Sequence, residues 1–197
     1  MNTTSFSGVH TALVTPLLRD AVDYASLARL IDFQLAAGVQ GLVAVGTTGE
    51  SPTLDYEEHI EVIRFTLERV AGRVPVLAGT GSNSTTEQTY LTQRALDVGA
   101  QAFLLVAPYY NKPSQEGLYR HFAAAARLTD KPIILYSIPA RCGVEIAVST
   151  VKRLREEFPH VIGLKESGGT LDRVAKLLQA VDPGFLLLSG NDDVTFP

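Results

Sequence analysis

Five lysines, Lys112, Lys131, Lys152, Lys165 and Lys176, carry the side-chain amines of this 197-residue chain. Lys112 falls in a polar stretch, Lys131 precedes a proline, and Lys152 and Lys176 lie on segments with helical periodicity, where solvated ammonium groups are expected. Lys165 alone ends an apolar, strand-like run, Val161 to Leu164. By period-two alternation it shares a face with Val161 and Gly163, while Ile162 and Leu164 face the other way. Burying an ammonium in a low dielectric favours the neutral amine, the nucleophile that forms an imine with a ketone. The competing reading is a lysine that extends its head to water or pairs with Glu166, and position alone weighs the two evenly.

Imine chemistry also needs a proton shuttle, and a 2-keto acid needs a clamp for its carboxylate. Tyr136 ends the run Ile133 to Tyr136, so its phenol is a candidate relay, against the plainer role of a packed aromatic. Thr47 and Thr48, between Gly46 and Gly49, offer hydroxyls and backbone N–H groups to a carboxylate, or form an ordinary polar turn. Arg141 follows Pro139 in a short loop, where a guanidinium binds a carboxylate in bidentate fashion, although most surface arginines do not. The pair Tyr109 and Tyr110 reads, on its own, as an exposed packing or partner surface. The four histidines, His10, His59, His121 and His160, lack the spacing of a metal site, and the lone Cys142 reads as a small packed thiol. A metal-dependent aldolase is disfavoured, and no metal or cofactor is expected.

These residues need a scaffold that brings several loops together. Apolar, β-rich runs recur at Val9 to Val14, Gly41 to Val45, Val74 to Ala78, Ala102 to Ala107, Ile133 to Tyr136, Val161 to Leu164 and Phe185 to Leu188. Helical periodicity fills the gaps at Tyr24 to Ala37, Tyr56 to Val70, Glu87 to Val98, Glu116 to Leu128, Val148 to Phe158 and Leu171 to Val181. A repeat of about thirty residues suits a βαβ unit, so the sheet is predicted to be parallel. Gly38, Gly72 and Gly99 follow three of the helices, and Pro75 and Pro132 sit at strand starts. A doubly wound nucleotide fold is disfavoured because Thr15-Pro16-Leu17 follows the first strand in place of a glycine-rich turn, and Gly79-Thr80-Gly81 has no further glycine before its helix. The fold class is therefore α/β, a TIM (β/α)8-type barrel, whose site is expected at the C-terminal ends of the strands.

Only about seven βα units are visible, whereas complete barrels run to about 250 residues. The expectation is a chain lacking its C-terminal part, as a truncated form of a longer protein, or one whose fold closes by another route such as oligomerisation. Residues 1–197 are read as a single catalytic domain. Hydrophobic residues at 46% and charged residues at 19% fit a compact globular chain. A net charge of −4, with scattered basic residues, gives no footprint for nucleic acid or an anionic membrane. The N-terminus lacks the basic start and apolar core of a signal peptide, so a cytoplasmic location is expected.

Taken in order, Gly46-Thr47-Thr48-Gly49-Glu50, Pro108-Tyr109-Tyr110-Asn111-Lys112-Pro113-Ser114, Tyr136 five residues before Arg141, and Gly163-Leu164-Lys165-Glu166 resemble the dihydrodipicolinate synthase family of pyruvate-dependent class I lyases, from about Gly8 onward. The resemblance implies that Lys165 forms an imine with pyruvate and that the enamine attacks L-aspartate 4-semialdehyde, a step of lysine biosynthesis. It also implies a proton-relay triad of Thr48, Tyr136 and Tyr110, with Tyr110 reaching into a neighbouring subunit. Thr47 and Thr48 would hold the pyruvate carboxylate, and Arg141 that of the semialdehyde. A homo-oligomer, a dimer of dimers, follows from the same resemblance. So does a lysine-feedback site at Ser51, His59, Asn83, Glu87 and Tyr109, with Tyr56 where lysine-sensitive members often carry histidine. Two departures, Ser137 for the usual asparagine and Ser167-Gly168-Gly169 for an alanine-containing segment, leave the imine chemistry intact but bear on the choice of aldehyde. N-acetylneuraminate lyase and 2-keto-3-deoxy-sugar aldolase activities stay open as alternatives, as does a truncated homologue without turnover.

Overall fold

The computed structural model describes residues 6–168, 170–192 and 195. They fall into two compact units, one built from residues 6–80 and 90–104, the other from 81–89 and the described residues from 105 onward.

The first unit opens with strand β1 (His10–Ala12) and a small antiparallel hairpin, β2 (Leu17–Leu18) and β3 (Ala21–Val22). Helix α1 (Tyr24–Ala36) starts where Asp23 accepts the Ser26 N–H. Strand β4 (Gly41–Ala44), helix α2 (Tyr56–Val70) and strand β5 (Val76–Gly79) follow. A reciprocal capping box between Asp55 and Glu58 opens α2, and left-handed Ala71 and Gly72 close it. Strands β1, β4 and β5 pair in parallel, with Thr11 opposite Leu42 and Val43 opposite Leu77. Every residue of β4 and β5 is buried, as expected for parallel strands covered on both faces. Helix α3 (Thr85–Asp97) spans the boundary between the units, as does strand β6 (Phe103–Val106), whose Phe103 lies opposite Ala78.

The second unit holds helix α4 (Gln115–Ala126), strand β7 (Ile133–Ser137), the single turn α5 (Pro139–Cys142) and helix α6 (Val148–Glu157). Strand β8 (Val161–Glu166), helix α7 (Leu171–Ala180) and strand β9 (Leu186–Ser189) complete it. The Ala107 N–H donates to the Tyr136 carbonyl, and β7, β8 and β9 pair in parallel. The hydrogen-bonded order β1-β4-β5-β6-β7-β8-β9, with a helix after each of the first six, is the βα succession of a TIM (β/α)8-type barrel. Seven such strands are present among the described residues, matching the runs read from the sequence.

Two local features differ from that reading. The segment after β1 is a hairpin, because Pro16 and the left-handed Arg19 and Asp20 turn the chain back on itself. Strand β4 stops at Ala44, since Val45 takes φ +53°, a conformation costly for a β-branched residue. Among the described residues no helix is long and apolar enough to cross a membrane.

Candidate active site

Strand register sets the centre of the site. Tyr136 on β7 stands opposite Lys165 on β8, and Lys165 stands opposite Leu188 on β9. Parallel neighbours in register project side chains to the same face, so the amine and the phenol ring meet. Lys165 Nζ lies 4.4 Å from the centroid of the Tyr136 ring, itself buried. Burial holds the Lys165 ammonium below its ordinary pKa, with the Asp192 carboxylate partly opposing. That balance favours a larger fraction of neutral amine than a surface lysine has.

Glycine at position 190 completes the setting. A Cβ there would lie 2.8 Å from Lys165 Cε and would overlap Ser167 Oγ. Its N–H donates to the Glu166 carbonyl at 2.8 Å, which holds the segment after β9 against the end of β8.

Glu166 faces away from its neighbour Lys165, as alternation along a strand requires. The alternative pairing of Lys165 with Glu166 is therefore corrected: Glu166 bonds Arg173 of α7, Nε to Oε2 at 2.8 Å, with both side chains buried. Arg173 also donates to the Ile146 carbonyl at 2.7 Å and pairs with Glu145 at 3.0 Å, and the Gly168 N–H donates to Glu166. This network joins the ends of β8 and α7 to the segment that follows Arg141.

Tyr110 lies in a loop with strained backbone. Tyr110 (φ +74°) and Lys112 (φ +43°) are left-handed, as is Val45 in the other unit, just before Gly46. Such conformations in non-glycine residues cluster where function demands a fixed geometry. Tyr110 is 90% exposed, whereas Tyr109 is half-buried, correcting the reading of the two as one exposed pair. The Tyr109 phenol is pushed above its usual pKa by burial and bonds Ser82, with Glu87 adding to the upward shift. Asn111 donates to the Asn83 carbonyl at 2.9 Å, so Asn83 and Tyr109 lie together in loops, near Glu87 in the first turn of α3. Arg141 is exposed on α5 and makes no ion pair among the described residues. Cys142 is buried, its thiol raised to about 11 by desolvation and directed at the Ala107 carbonyl, which suits packing.

In the other unit, Thr47 and Thr48 form a single helical turn, Thr47–Gly49, with Glu50 left-handed after it and Ser51 opening a second such turn. Thr48 is exposed and Thr47 half-buried. Gly49 lies against the Leu13 carbonyl and the Thr15 hydroxyl, which donates to the Gly49 carbonyl at 2.7 Å and anchors the turn. The loop needs glycine at position 79, where a Cβ would overlap the Val45 carbonyl. His59 is buried, its Nε2 2.7 Å from the Gly79 carbonyl, and burial lowers its pKa.

Lys165 and Tyr136 are thus brought together, as are Asn83, Glu87 and Tyr109. Sequence reasoning took Ser167 only as a departure from a motif, and it passed over Arg173 and Gly190. The only signals for them were a basic residue seven positions beyond a strand acid, and a glycine just after the last strand.

The chain matches the family model described as "Dihydrodipicolinate synthetase family" over residues 5–197. It is 52% identical over 187 residues to the 4-hydroxy-tetrahydrodipicolinate synthase of Pseudomonas putida, covering 94% of this chain and 64% of that one. Its fold superposes on the 4-hydroxy-tetrahydrodipicolinate synthase of Methylacidiphilum fumariolicum with a TM-score of 0.93 at 53% identity, covering 95% of this chain and 63% of the other. The dihydrodipicolinate synthase of Acinetobacter baumannii, solved in complex with pyruvate, gives a TM-score of 0.90 at 45% identity, covering 94% and 64%. The chain therefore spans just under two thirds of the length of these relatives. On the match of residues 5–197 and these identities, the chain belongs to the dihydrodipicolinate synthetase family.

Proposed function

We propose that residues 1–197 act as a single catalytic domain that condenses pyruvate with L-aspartate 4-semialdehyde through an imine at Lys165, giving 4-hydroxy-tetrahydrodipicolinate in lysine biosynthesis. The observation that carries this reading is the half-buried amine of Lys165 beside the Tyr136 ring, its ammonium disfavoured by burial. The neutral amine attacks the pyruvate carbonyl carbon, and the carbinolamine loses its oxygen as water to give the protonated imine. Loss of a methyl proton gives the enamine, whose carbon attacks the aldehyde carbon of the second substrate; the amino group of that substrate then attacks the re-formed imine carbon, closing the ring and releasing the Lys165 amine. Tyr136, with Thr48 and a Tyr110 supplied by a neighbouring subunit, relays these protons. Thr47 and Thr48 hold the pyruvate carboxylate, and Arg141, exposed and unpaired among the described residues, takes the carboxylate of the semialdehyde.

The exposure of Tyr110 supports a working assembly of more than one copy, a dimer of dimers. Lysine feedback acts through Ser51, His59, Asn83, Glu87 and Tyr109, and the enzyme works in the cytoplasm. The test is pyruvate with borohydride followed by intact-mass measurement. One reduced pyruvyl adduct on the parent chain and none on Lys165→Ala is expected. A folded parent that takes up no adduct refutes the proposal. Turnover with aspartate semialdehyde, set against N-acetylneuraminate and ketodeoxygluconate, identifies the second substrate.

A further inference from the structure

Ser167 is 4% exposed, and its hydroxyl has no hydrogen-bond partner among the described residues. A buried hydroxyl without a partner is costly to keep, so its presence asks for a reason. Both backbone groups of Ser167 are engaged: its N–H donates to the Ser137 carbonyl at 2.9 Å, and its carbonyl accepts from Asn191 Nδ2 at 3.3 Å. The residue is pinned, and only the hydroxyl is spare. That hydroxyl packs against the Cα of Gly190, as the stem of Lys165 does: a Cβ at position 190 would overlap Ser167 Oγ and lie 2.8 Å from Lys165 Cε. Gly190, lacking a side chain, thus lets the unpaired hydroxyl and the stem of Lys165 sit close together.

We propose that Ser167 is a ligand-contacting residue of the lysine site, its hydroxyl hydrogen-bonding an oxygen of the 2-oxo acid that Lys165 captures. This rests on the imine reading of Lys165 and adds a contact to it. The bound acid supplies the partner that the hydroxyl lacks in the free chain, so the cost of burying Ser167 is recovered on binding. The site trades stability of the free protein for affinity.

That trade sets the test, which uses Ser167→Ala in the full chain. Alanine removes the unpaired hydroxyl and adds no volume, so the thermal midpoint of the free chain is expected to be unchanged or higher. The pyruvate concentration giving half-maximal borohydride trapping is expected to rise roughly three- to tenfold, the loss of one neutral hydrogen bond. Trapping at saturating pyruvate still reaches the parent level, because Lys165 is intact. Unchanged or tighter pyruvate capture refutes the Ser167 contact and leaves the Lys165 reading standing. Weaker capture with a lowered midpoint also refutes it, since a purely structural role gives that result. A folded parent that captures no pyruvate overturns the lysine reading and the Ser167 contact with it.

Discussion

Arg173→Met removes one half of the ion pair behind Lys165. The Arg173 side chain is 9% exposed and that of Glu166 4%, at an Nε to Oε2 distance of 2.8 Å. Without the guanidinium, the Glu166 carboxylate keeps the Gly168 N–H as its one donor among the described residues, and the Ile146 carbonyl loses its Arg173 donor. Stranding a buried charge in this way costs about 3–5 kcal/mol. For a chain of this size each kcal/mol moves the thermal midpoint by about 2–4 °C, so a fall of roughly 6–20 °C is expected by circular dichroism or calorimetry. The double variant Glu166→Leu with Arg173→Met leaves no buried charge and is expected to recover most of the loss. Lys176→Met provides the contrast: its pair with Asp172 is 65% and 79% exposed and is expected to matter little. A midpoint for Arg173→Met within about 2–4 °C of the parent, or a double variant as unstable as the single one, refutes the reasoning.

His121 is buried, its ring bonded to the Thr85 hydroxyl, and desolvation pushes its pKa down to about 4 from 6.5, with the Ser82 carbonyl partly opposing. The unfolded chain therefore binds a proton at this residue that the folded chain refuses between those values. Stability is expected to fall as pH drops from 6.5 towards 4, by about 3 kcal/mol in all. Denaturant titrations of the parent and His121→Gln across that range check this, and equal slopes contradict it. Gly79→Ala places a methyl group into the Val45 carbonyl and is expected to cost about 1–3 kcal/mol in urea unfolding; a neutral result contradicts the packing described here.

The repeating units were legible because parallel strands buried on both faces leave short apolar runs, and their crossover helices carry period 3.6. Helix ends were legible where chemistry marks them, as with Gly38, Gly72 and Gly99, all at positive φ. Lys165 was legible for the same local reason, a lone amine on a strand. Its register with Tyr136 was not, because register depends on backbone hydrogen bonds between strands distant in sequence. Glu166 and Arg173 illustrate the limit more sharply. Alternation sends Glu166 to the face opposite Lys165, but that its partner lies one turn into α7 is a tertiary fact. Val45 breaks the strand rule outright, its left-handed backbone fitting only because glycine at position 79 makes room for its carbonyl. Ser167 looked like a substitution in a motif; only packing shows its hydroxyl to be buried and unpaired.

The proposed capture of pyruvate by one lysine of the five is checked by peptide mapping of the borohydride-reduced adduct. The reduced pyruvyl group is expected on the peptide containing Lys165 alone, with Lys112, Lys131, Lys152 and Lys176 unmodified. Modification spread over the exposed lysines, or located on any lysine other than Lys165, contradicts it.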